Sequence, residues 1–167
     1  IYIFQESNQG KNTGRCYLKN VDGSGVNTNG TAFKNVMSPT RDVPPYLEIA
    51  KELGFDPFER LISCPLNVGW GGAMGPAQFI ASTWNGYKAR VAAAEGKAVA
   101  NPWIARDAIM ASAFLHKDNG AVTDERNAAC RYYSGRSCSS VSNSYGNSVV
   151  ALAKKIQNEQ INPLQGF

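Results

Sequence analysis

The chain has 167 residues, of which 43% are hydrophobic and 10% aromatic, and it carries a formal net charge of +4. This composition fits a folded domain with a hydrophobic core and excludes a disordered chain. No apolar run approaches the roughly 20 residues of a membrane-spanning helix, and no apolar signal-peptide core is visible. The positive charge is diffuse and indicates ordinary solubility more than an anionic partner. We expect no nucleic-acid partner, because no basic cluster is interleaved with aromatic residues.

The first part of the chain alternates helical and polar segments. Residues 1–8 have the pattern of a helix end, so we expect the N-terminus to be a processed or engineered boundary in a longer protein. Residues 16–35 are rich in Gly, Asn, Ser and Thr, which predicts a polar loop with a small hairpin over a cleft. Val43-Pro44-Pro45 leads into a helix that Gly54 ends, and Asp56-Pro57 predicts another helix start.

Helices are predicted through the second half of the chain, so the fold class is mainly α, in one domain over residues 1–167. Pro76 follows a glycine run and is expected to open a helix with Gln78 in its first turn. Asn101-Pro102 is expected to open the longest helix, whose alanine-rich stripe predicts a central position, and Thr123 to cap the next one. The last helix is predicted to bury an apolar stripe: Tyr145, Val149, Leu152, Ala153 and Ile156.

The chain has four cysteines, which allow three pairings: Cys16, Cys64, Cys130 and Cys138. We expect Cys130 to pair with Cys138, because a turn at Gly135 can bring the chain back. Cys16 and Cys64 would then tie the polar loop to the segment before the glycine run. An even count favours disulfides and an oxidising, extracytoplasmic compartment, although four buried free thiols would give the same sequence. No Cys-x-x-Cys pair exists and the one histidine, His116, is assigned to a solvated helix surface, so we expect no metal site.

Two short motifs carry the candidate chemistry. Gln5-Glu6-Ser7 ends the first helical run, where the helix dipole and apolar neighbours disfavour an ionised Glu6 and raise its pKa toward neutrality. The alternative is an ordinary surface glutamate. Residues 72–79, Gly-Ala-Met-Gly-Pro-Ala-Gln-Phe, are named the glycine turn here, and such a turn lets backbone approach a ligand closely. One acid, the Gln78 amide and a glycine-lined wall suit a polysaccharide better than a phosphate or a metal.

These motifs resemble those of the lytic transglycosylases, the lysozyme-like enzymes that cleave bacterial peptidoglycan, and in particular their membrane-bound B-type branch. The similarity covers four segments in order: Gln5-Glu6-Ser7, the glycine turn, Asn101-Pro102-Trp103 and Arg131-Tyr132-Tyr133. It runs from residue 5 to about residue 135. The resemblance implies a lysozyme-like fold in which the polar loop or hairpin lies over the cleft.

The resemblance also implies non-hydrolytic cleavage of the β-1,4 bond between N-acetylmuramic acid and N-acetylglucosamine, with Glu6 as the single catalytic acid. In that family the sugar's N-acetyl oxygen traps the positive centre, and the glutamate then acts as base on the 6-hydroxyl, closing a 1,6-anhydro ring. A glycosidase with two carboxylates needs a second acid about 5 to 10 Å from the first. Asp22 and Asp42 are the nearest in sequence, and neither lies in a recognisable motif.

The resemblance places Met74 and Gln78 on the substrate wall and Tyr132 close to the acid. The full set of expected substrate contacts is Ser7, Trp70, Met74, Gln78, Phe79, Tyr132 and Tyr133. Ser7 alternatively caps the helix, and Trp70 and Phe79 alternatively belong to the core. The chain departs from the family pattern at Tyr133, where members have Asn, and at Gly69, where B-type members commonly have Ser. Both family residues are polar groups able to position the N-acetyl group or the intermediate.

Two rival functions stay open: a goose-type-like lysozyme that uses water, and an inactive glycan-binding module. In each case the expected partner is the peptidoglycan glycan strand, bound by a monomer without a cofactor. The product separates the transglycosylase from the lysozyme, because a lysozyme releases reducing sugar ends. Turnover separates both from the binding module.

Overall fold

The computed structural model of the chain describes residues 1–67 and 69–165 and is mainly helical, which confirms the predicted class. Its helices are α1 (Tyr2–Ser7), α2 (Val43–Leu53), α3 (Ala81–Ala94), α4 (Ala105–Asp118), α5 (Glu125–Ser134), α6 (Asn143–Ile156) and, after a π-helical segment (Gln157–Ile161), α7 (Asn162–Gln165). No helix in the described part of the chain combines the length and the apolar character of a membrane span.

The polar segment after α1 forms a three-stranded antiparallel sheet in the order β1-β2-β3. Its strands are β1 (Cys16–Leu18), β2 (Gly25–Asn27) and β3 (Ala32–Phe33). Tyr17 pairs with Val26, and Val26 pairs in turn with Ala32. The expected hairpin is therefore present, and a third strand extends it. Asp22 stabilises the first turn because its Oδ1 accepts a hydrogen bond from the Ser24 N–H at 2.8 Å.

The core is formed where α4 packs against α1, α3 and α5, with α2 on α3 and α6 on α5. Ala108 and Ala111 of α4 are buried, and such small side chains allow neighbouring helices to approach closely. Trp84 of α3 and Ile49 of α2 fill the space beside them. The predicted central position of α4 fits this packing, although α4 is not longer than α3 or α6, each having 14 residues.

Two of the helix starts predicted at prolines, Asp56-Pro57 and Asn101-Pro102, are turns in the structure, whereas α2 begins at Val43-Pro44-Pro45 as predicted. At Asp56-Pro57 no helix follows; Asp56 Oδ1 instead accepts a hydrogen bond from the Phe58 N–H at 2.8 Å. Asn101 Oδ1 accepts from the Trp103 N–H at 2.9 Å, and α4 begins only at Ala105. The prediction was wrong because a proline's fixed φ suits the second position of a β-turn as well as the first position of a helix.

The last two long helices follow the predicted pattern with small changes. Asp124, not Thr123, caps α5, because its side chain accepts a hydrogen bond from the Asn127 N–H at 2.9 Å. Gly135 ends this helix in the left-handed conformation, as expected. In α6 the stripe is only partly buried, and Val149 is its one fully buried predicted member.

Both predicted disulfides are confirmed. Cys16–Cys64 joins β1 to the segment before the glycine turn, next to an antiparallel bridge between Cys16 and Ile62. Cys130–Cys138 joins α5 to the loop that leads into α6. All four cysteines are paired. Two disulfides are typical of proteins that fold in an oxidising environment.

Candidate functional site

Glu6 lies one residue before the end of α1 and is largely buried. The helix ends there because Asn8 takes the left-handed conformation, with φ 49°. Burial raises the pKa of the Glu6 carboxyl, because a low-dielectric environment disfavours its charged form. The predicted direction of this pKa is confirmed, and the main cause is desolvation.

Tyr145 of α6 contacts the acid, and the sequence did not reveal this contact. Its hydroxyl donates a hydrogen bond to Glu6 Oε1, and this bond lowers the pKa of Glu6 and so offsets part of the effect of burial. The hydroxyl stays protonated, because burial raises the pKa of Tyr145 itself. The sequence offered one signal for this contact, because a buried tyrosine in an apolar stripe usually has a hydrogen-bond partner for its hydroxyl.

Tyr132 of α5 lies close to Glu6 and Tyr145. Its ring stacks on Tyr2 with 3.9 Å between ring centroids. Its hydroxyl lies 3.1 Å from Ser112 Oγ and 3.1 Å from the Ala77 carbonyl oxygen in the glycine turn. Burial raises the pKa of Tyr132, and the nearby Glu6 charge adds a smaller effect in the same direction, which fits the predicted closeness of the two side chains.

His116 also belongs to this aromatic group, which corrects its assignment to a solvated surface. The residue is half-buried on α4, and its ring meets the Tyr2 ring edge-on at 5.1 Å. Its Nδ1 is hydrogen-bonded to the Tyr2 hydroxyl at 2.5 Å. Burial lowers the pKa of His116, so its neutral form is favoured.

Ser7 does not face a ligand, because its side chain is buried. Its hydroxyl lies 2.6 Å from the Pro76 carbonyl oxygen and accepts a hydrogen bond from the Gly10 N–H at 2.9 Å. Successive side chains on a helix point about 100° apart, so Ser7 faces a different neighbour from Glu6. Ser7 therefore joins α1 to the glycine turn, which corrects its expected contact with substrate.

The glycine turn is a tight loop and not a helix start. Met74 and Phe79 pair across it through backbone hydrogen bonds of 2.9 and 3.2 Å, and α3 begins later, at Ala81. Gln78 has φ 53°, and its Nε2 donates to the Gly75 carbonyl oxygen at 2.8 Å. Because that nitrogen also reaches the Thr13 carbonyl oxygen at 3.2 Å, only the amide oxygen of Gln78 remains to accept from a ligand.

Met74 and Phe79 are core residues, which corrects their expected place on the substrate surface. Met74 is fully buried and Phe79 is 3% exposed. Phe79 meets Trp84 and Tyr132 edge-on, with ring centroids 5.7 and 6.0 Å apart. Both side chains belong to the main hydrophobic core, so they anchor the glycine turn by packing in that core.

The glycines of the turn allow the chain to approach itself. A Cβ on Gly75 would lie 1.9 Å from the Pro102 carbonyl oxygen, and φ at Gly75 is +64°. The Asn101-Pro102-Trp103 motif therefore packs directly on the glycine turn, although 26 positions separate Gly75 from Asn101. The close approach that the glycines were predicted to allow toward a ligand is, at Gly75, an approach between two backbone segments of the protein.

Backbone strain is concentrated where α1 meets the glycine turn. Among the described residues, the non-glycine positions with positive φ are Asn8, Gln9 and Gln78. Asn8 and Gln9 directly follow the end of α1, and Gln78 lies in the turn that Ser7 holds. Such conformations cost about 1–3 kcal/mol each and tend to cluster at functional sites.

Two aromatic residues of the predicted site are exposed. Trp70, before the glycine turn, is 43% exposed, and its contact with a sugar stays a prediction. Tyr133 is 51% exposed and stacks on Tyr145, with ring centroids 4.8 Å apart. Both of these tyrosines line a cavity of about 330 Å³ beside the acid.

A larger cavity, of about 440 Å³, lies along α1, α4 and α6 and includes Tyr2, Phe4, Ile109 and Val149 in its wall. Its lining is mainly apolar and does not include Glu6 or Tyr145. A glycan presents hydroxyl and amide groups over its whole length, so this cavity suits it poorly.

Neither aspartate near α1 in sequence is placed as a partner acid. Asp42 is buried; Arg41 pairs with its Oδ2 at 2.7 Å, and its Oδ1 accepts from the Ser82 N–H at 3.1 Å at the start of α3. Asp22 is an exposed turn residue. No cluster of three or more side chains able to hold a metal ion occurs in residues 1–67 and 69–165.

A scan against protein-family models and searches of curated proteins and of solved structures give no match for this chain. The resemblance to lytic transglycosylases therefore stays a prediction from the motifs.

Proposed function

We propose that this protein cleaves the glycan strands of bacterial peptidoglycan, with Glu6 as its single catalytic acid. The observation that carries the proposal is the state of the Glu6 carboxyl. It is largely buried, its pKa is raised, and the Tyr145 hydroxyl donates a hydrogen bond to one of its oxygens. A raised pKa lets the carboxyl hold its proton to higher pH than an ordinary glutamate. Such a carboxyl can deliver a proton to a glycosidic oxygen, which is the role of the acid in glycoside cleavage.

The proposed reaction is the non-hydrolytic one. Glu6 gives its proton to the oxygen that leaves C1 of N-acetylmuramic acid, while the N-acetyl oxygen of the same sugar bonds to C1. The Glu6 carboxylate then removes the proton of the 6-hydroxyl, whose oxygen displaces the N-acetyl oxygen at C1. This restores the acid and leaves a 1,6-anhydro ring. A tethered hydroxyl has a high effective concentration compared with water, which favours ring closure.

The roles of Asp42 and Asp22 support a mechanism with one carboxylate. Asp42 is engaged by Arg41 and by the backbone of α3, and Asp22 stabilises a turn of the sheet. Burial and the Tyr145 hydrogen bond are the influences on the pKa of Glu6 in the described part of the chain. The two disulfides support an extracytoplasmic location, where peptidoglycan lies.

The test is mass spectrometry of purified peptidoglycan digested by the wild-type protein and by Glu6→Gln. We expect muropeptides with 1,6-anhydro ends, lighter by one water than hydrolysis products, from the wild type alone. Loss of a general acid typically lowers a rate by a factor of about 10² to 10⁴. Reducing muramic ends would instead identify the lysozyme-type hydrolase. Binding of glycan with no product from either protein would identify the glycan-binding module.

A further inference from the structure

The cavity beside the acid is an open depression of the surface that reaches the volume range of small-molecule sites. Its volume of about 330 Å³ is at the lower end of the range of such sites, which begins near 300 Å³. The wall is made by residues of α1, α5 and α6 and of the loop between the last two: Gln5, Tyr133, Val141, Ser144, Tyr145 and Ser148. Glu6 does not line the cavity, but it is hydrogen-bonded to Tyr145, which does. The cavity is therefore one side chain away from the acid.

The aromatic part of this wall is a stacked pair. The rings of Tyr133 and Tyr145 lie 4.8 Å apart and are inclined by 23°. Tyr145 is fixed by its bond to Glu6, so it holds Tyr133 in a defined orientation. Tyr133 remains 51% exposed, which leaves aromatic surface for a ligand. A flat, orientated ring suits a ligand with an apolar face, such as the C–H face of a pyranose.

The rest of the wall is polar and uncharged. The six lining residues include no Asp, Glu, Lys, Arg or His. Gln5 Oε1 accepts a hydrogen bond from Ser148 Oγ at 3.1 Å, which orients the Gln5 amide so that its nitrogen can donate to a ligand carbonyl. A neutral wall with hydroxyl and amide groups fits an N-acetylated sugar and offers no counter-charge to a phosphate or a peptide carboxylate.

We propose that this cavity is a sugar subsite in which Tyr133 stacks on the ring of a neutral N-acetylhexosamine. The inference rests on the proposed function for the identity of the polymer, because the cavity adjoins the proposed acid only through Tyr145, which is hydrogen-bonded to Glu6. It makes Tyr133 a specificity-determining residue of this chain. Where the resembling family has the hydrogen-bonding amide of Asn, this protein has a stacking surface.

Binding can be measured apart from cleavage in the Glu6→Gln protein. The amide oxygen of Gln can still accept the hydrogen bond from the Tyr145 hydroxyl, so the cavity wall is expected to stay in place. The probe is the β-1,4-linked trimer of N-acetylglucosamine, titrated by calorimetry and by NMR chemical shifts. Three further changes are compared in this background: Tyr133→Ala, Tyr133→Phe, which keeps the ring, and Tyr87→Ala. Tyr87 serves as the control because it is a tyrosine outside the cavity wall. Thermal midpoints show that each variant is folded.

We expect Tyr133→Ala to weaken trimer binding about threefold to tenfold, as loss of one aromatic contact does. Tyr133→Phe and Tyr87→Ala should bind the trimer within about twofold of the parent. A parent that does not bind the trimer, or a Tyr133→Ala variant weakened less than threefold, overturns the subsite. Cleavage by the wild-type protein is scored separately. An active enzyme with an unaffected Tyr133→Ala variant rejects the subsite alone, and an inactive protein with a weakened variant rejects the proposed reaction alone.

Discussion

The Tyr145 hydroxyl donates a hydrogen bond to Glu6 Oε1, which joins α6 to α1 across 139 positions of sequence. Burial and this bond act on the Glu6 pKa in opposite directions, and burial is the larger influence. The bond also restricts the orientation of the carboxyl. Tyr145 thus limits how far the pKa rises while it holds the acid in place.

Replacement of Tyr145 by Phe should raise the pKa of Glu6 further, because a bond that stabilises the ionised form is lost. A general acid works in its protonated form, so activity falls as pH rises through its pKa. We therefore expect the alkaline limb of the pH–activity profile to move to higher pH in Tyr145→Phe. Carboxyl NMR titration of Glu6 measures the same shift without a substrate. A limb or titration that moves to lower pH contradicts this role of Tyr145.

The raised pKa of Glu6 also predicts how stability depends on pH. A carboxyl whose pKa is higher in the folded state stabilises the fold fully below its unfolded pKa, and this contribution is lost as pH rises through the folded pKa. Glu6→Gln removes the titration, so the variant should gain stability relative to wild type above that window. The gain is about 1.4 kcal/mol for each unit by which the folded pKa is raised.

Urea unfolding of wild type and Glu6→Gln at acid and neutral pH tests the predicted pH dependence of stability. Their difference in free energy of unfolding should be more favourable to Gln at neutral pH than at acid pH. A pH-independent difference would mean that Glu6 titrates as it does in the unfolded chain.

The helices were predictable where apolar residues recur with helical spacing, as in α2, because that period reports which face is buried. The conformation of the glycine turn was not predictable, because Pro76 suits a turn and a helix start equally well. What decides between them is contact with Pro102 and Ser7, both distant in sequence. The sequence likewise identified Glu6 but not Tyr145, since burial and pairing depend on how α6 packs.

The two disulfides should differ in their contribution to stability. In the chain-entropy model, the loop closed by Cys16–Cys64, with a sequence separation of 48, is worth about 4 kcal/mol. The loop closed by Cys130–Cys138, with a separation of 8, is worth about 2.5 kcal/mol. Double Cys→Ser variants measured by urea unfolding should show this order. The opposite order would show that local packing outweighs loop length here.

Gly75→Ala should destabilise the protein strongly, because the new methyl group meets the Pro102 carbonyl oxygen at 1.9 Å and φ at this position is +64°. We expect a loss of about 3 kcal/mol or more, as for other backbone clashes in a packed region. Gly86→Ala is the matched control, because it lies within α3 and its Cβ would meet no atom within 4 Å. That change should stabilise the protein by about 0.5–1 kcal/mol. Equal thermal midpoints for the two variants would contradict the close contact between the motifs.

The shortness of α1 has a consequence for the acid that it carries. A helix of six residues does not persist alone in water, so α1 exists only while it is docked on its neighbours. Each transient undocking hydrates Glu6 and returns its carboxyl to an ordinary affinity for protons. The proton of the acid and the docking of α1 are therefore thermodynamically linked, and rising pH favours the undocked state. Amide hydrogen exchange in α1 would then report on how well the carboxyl keeps its proton.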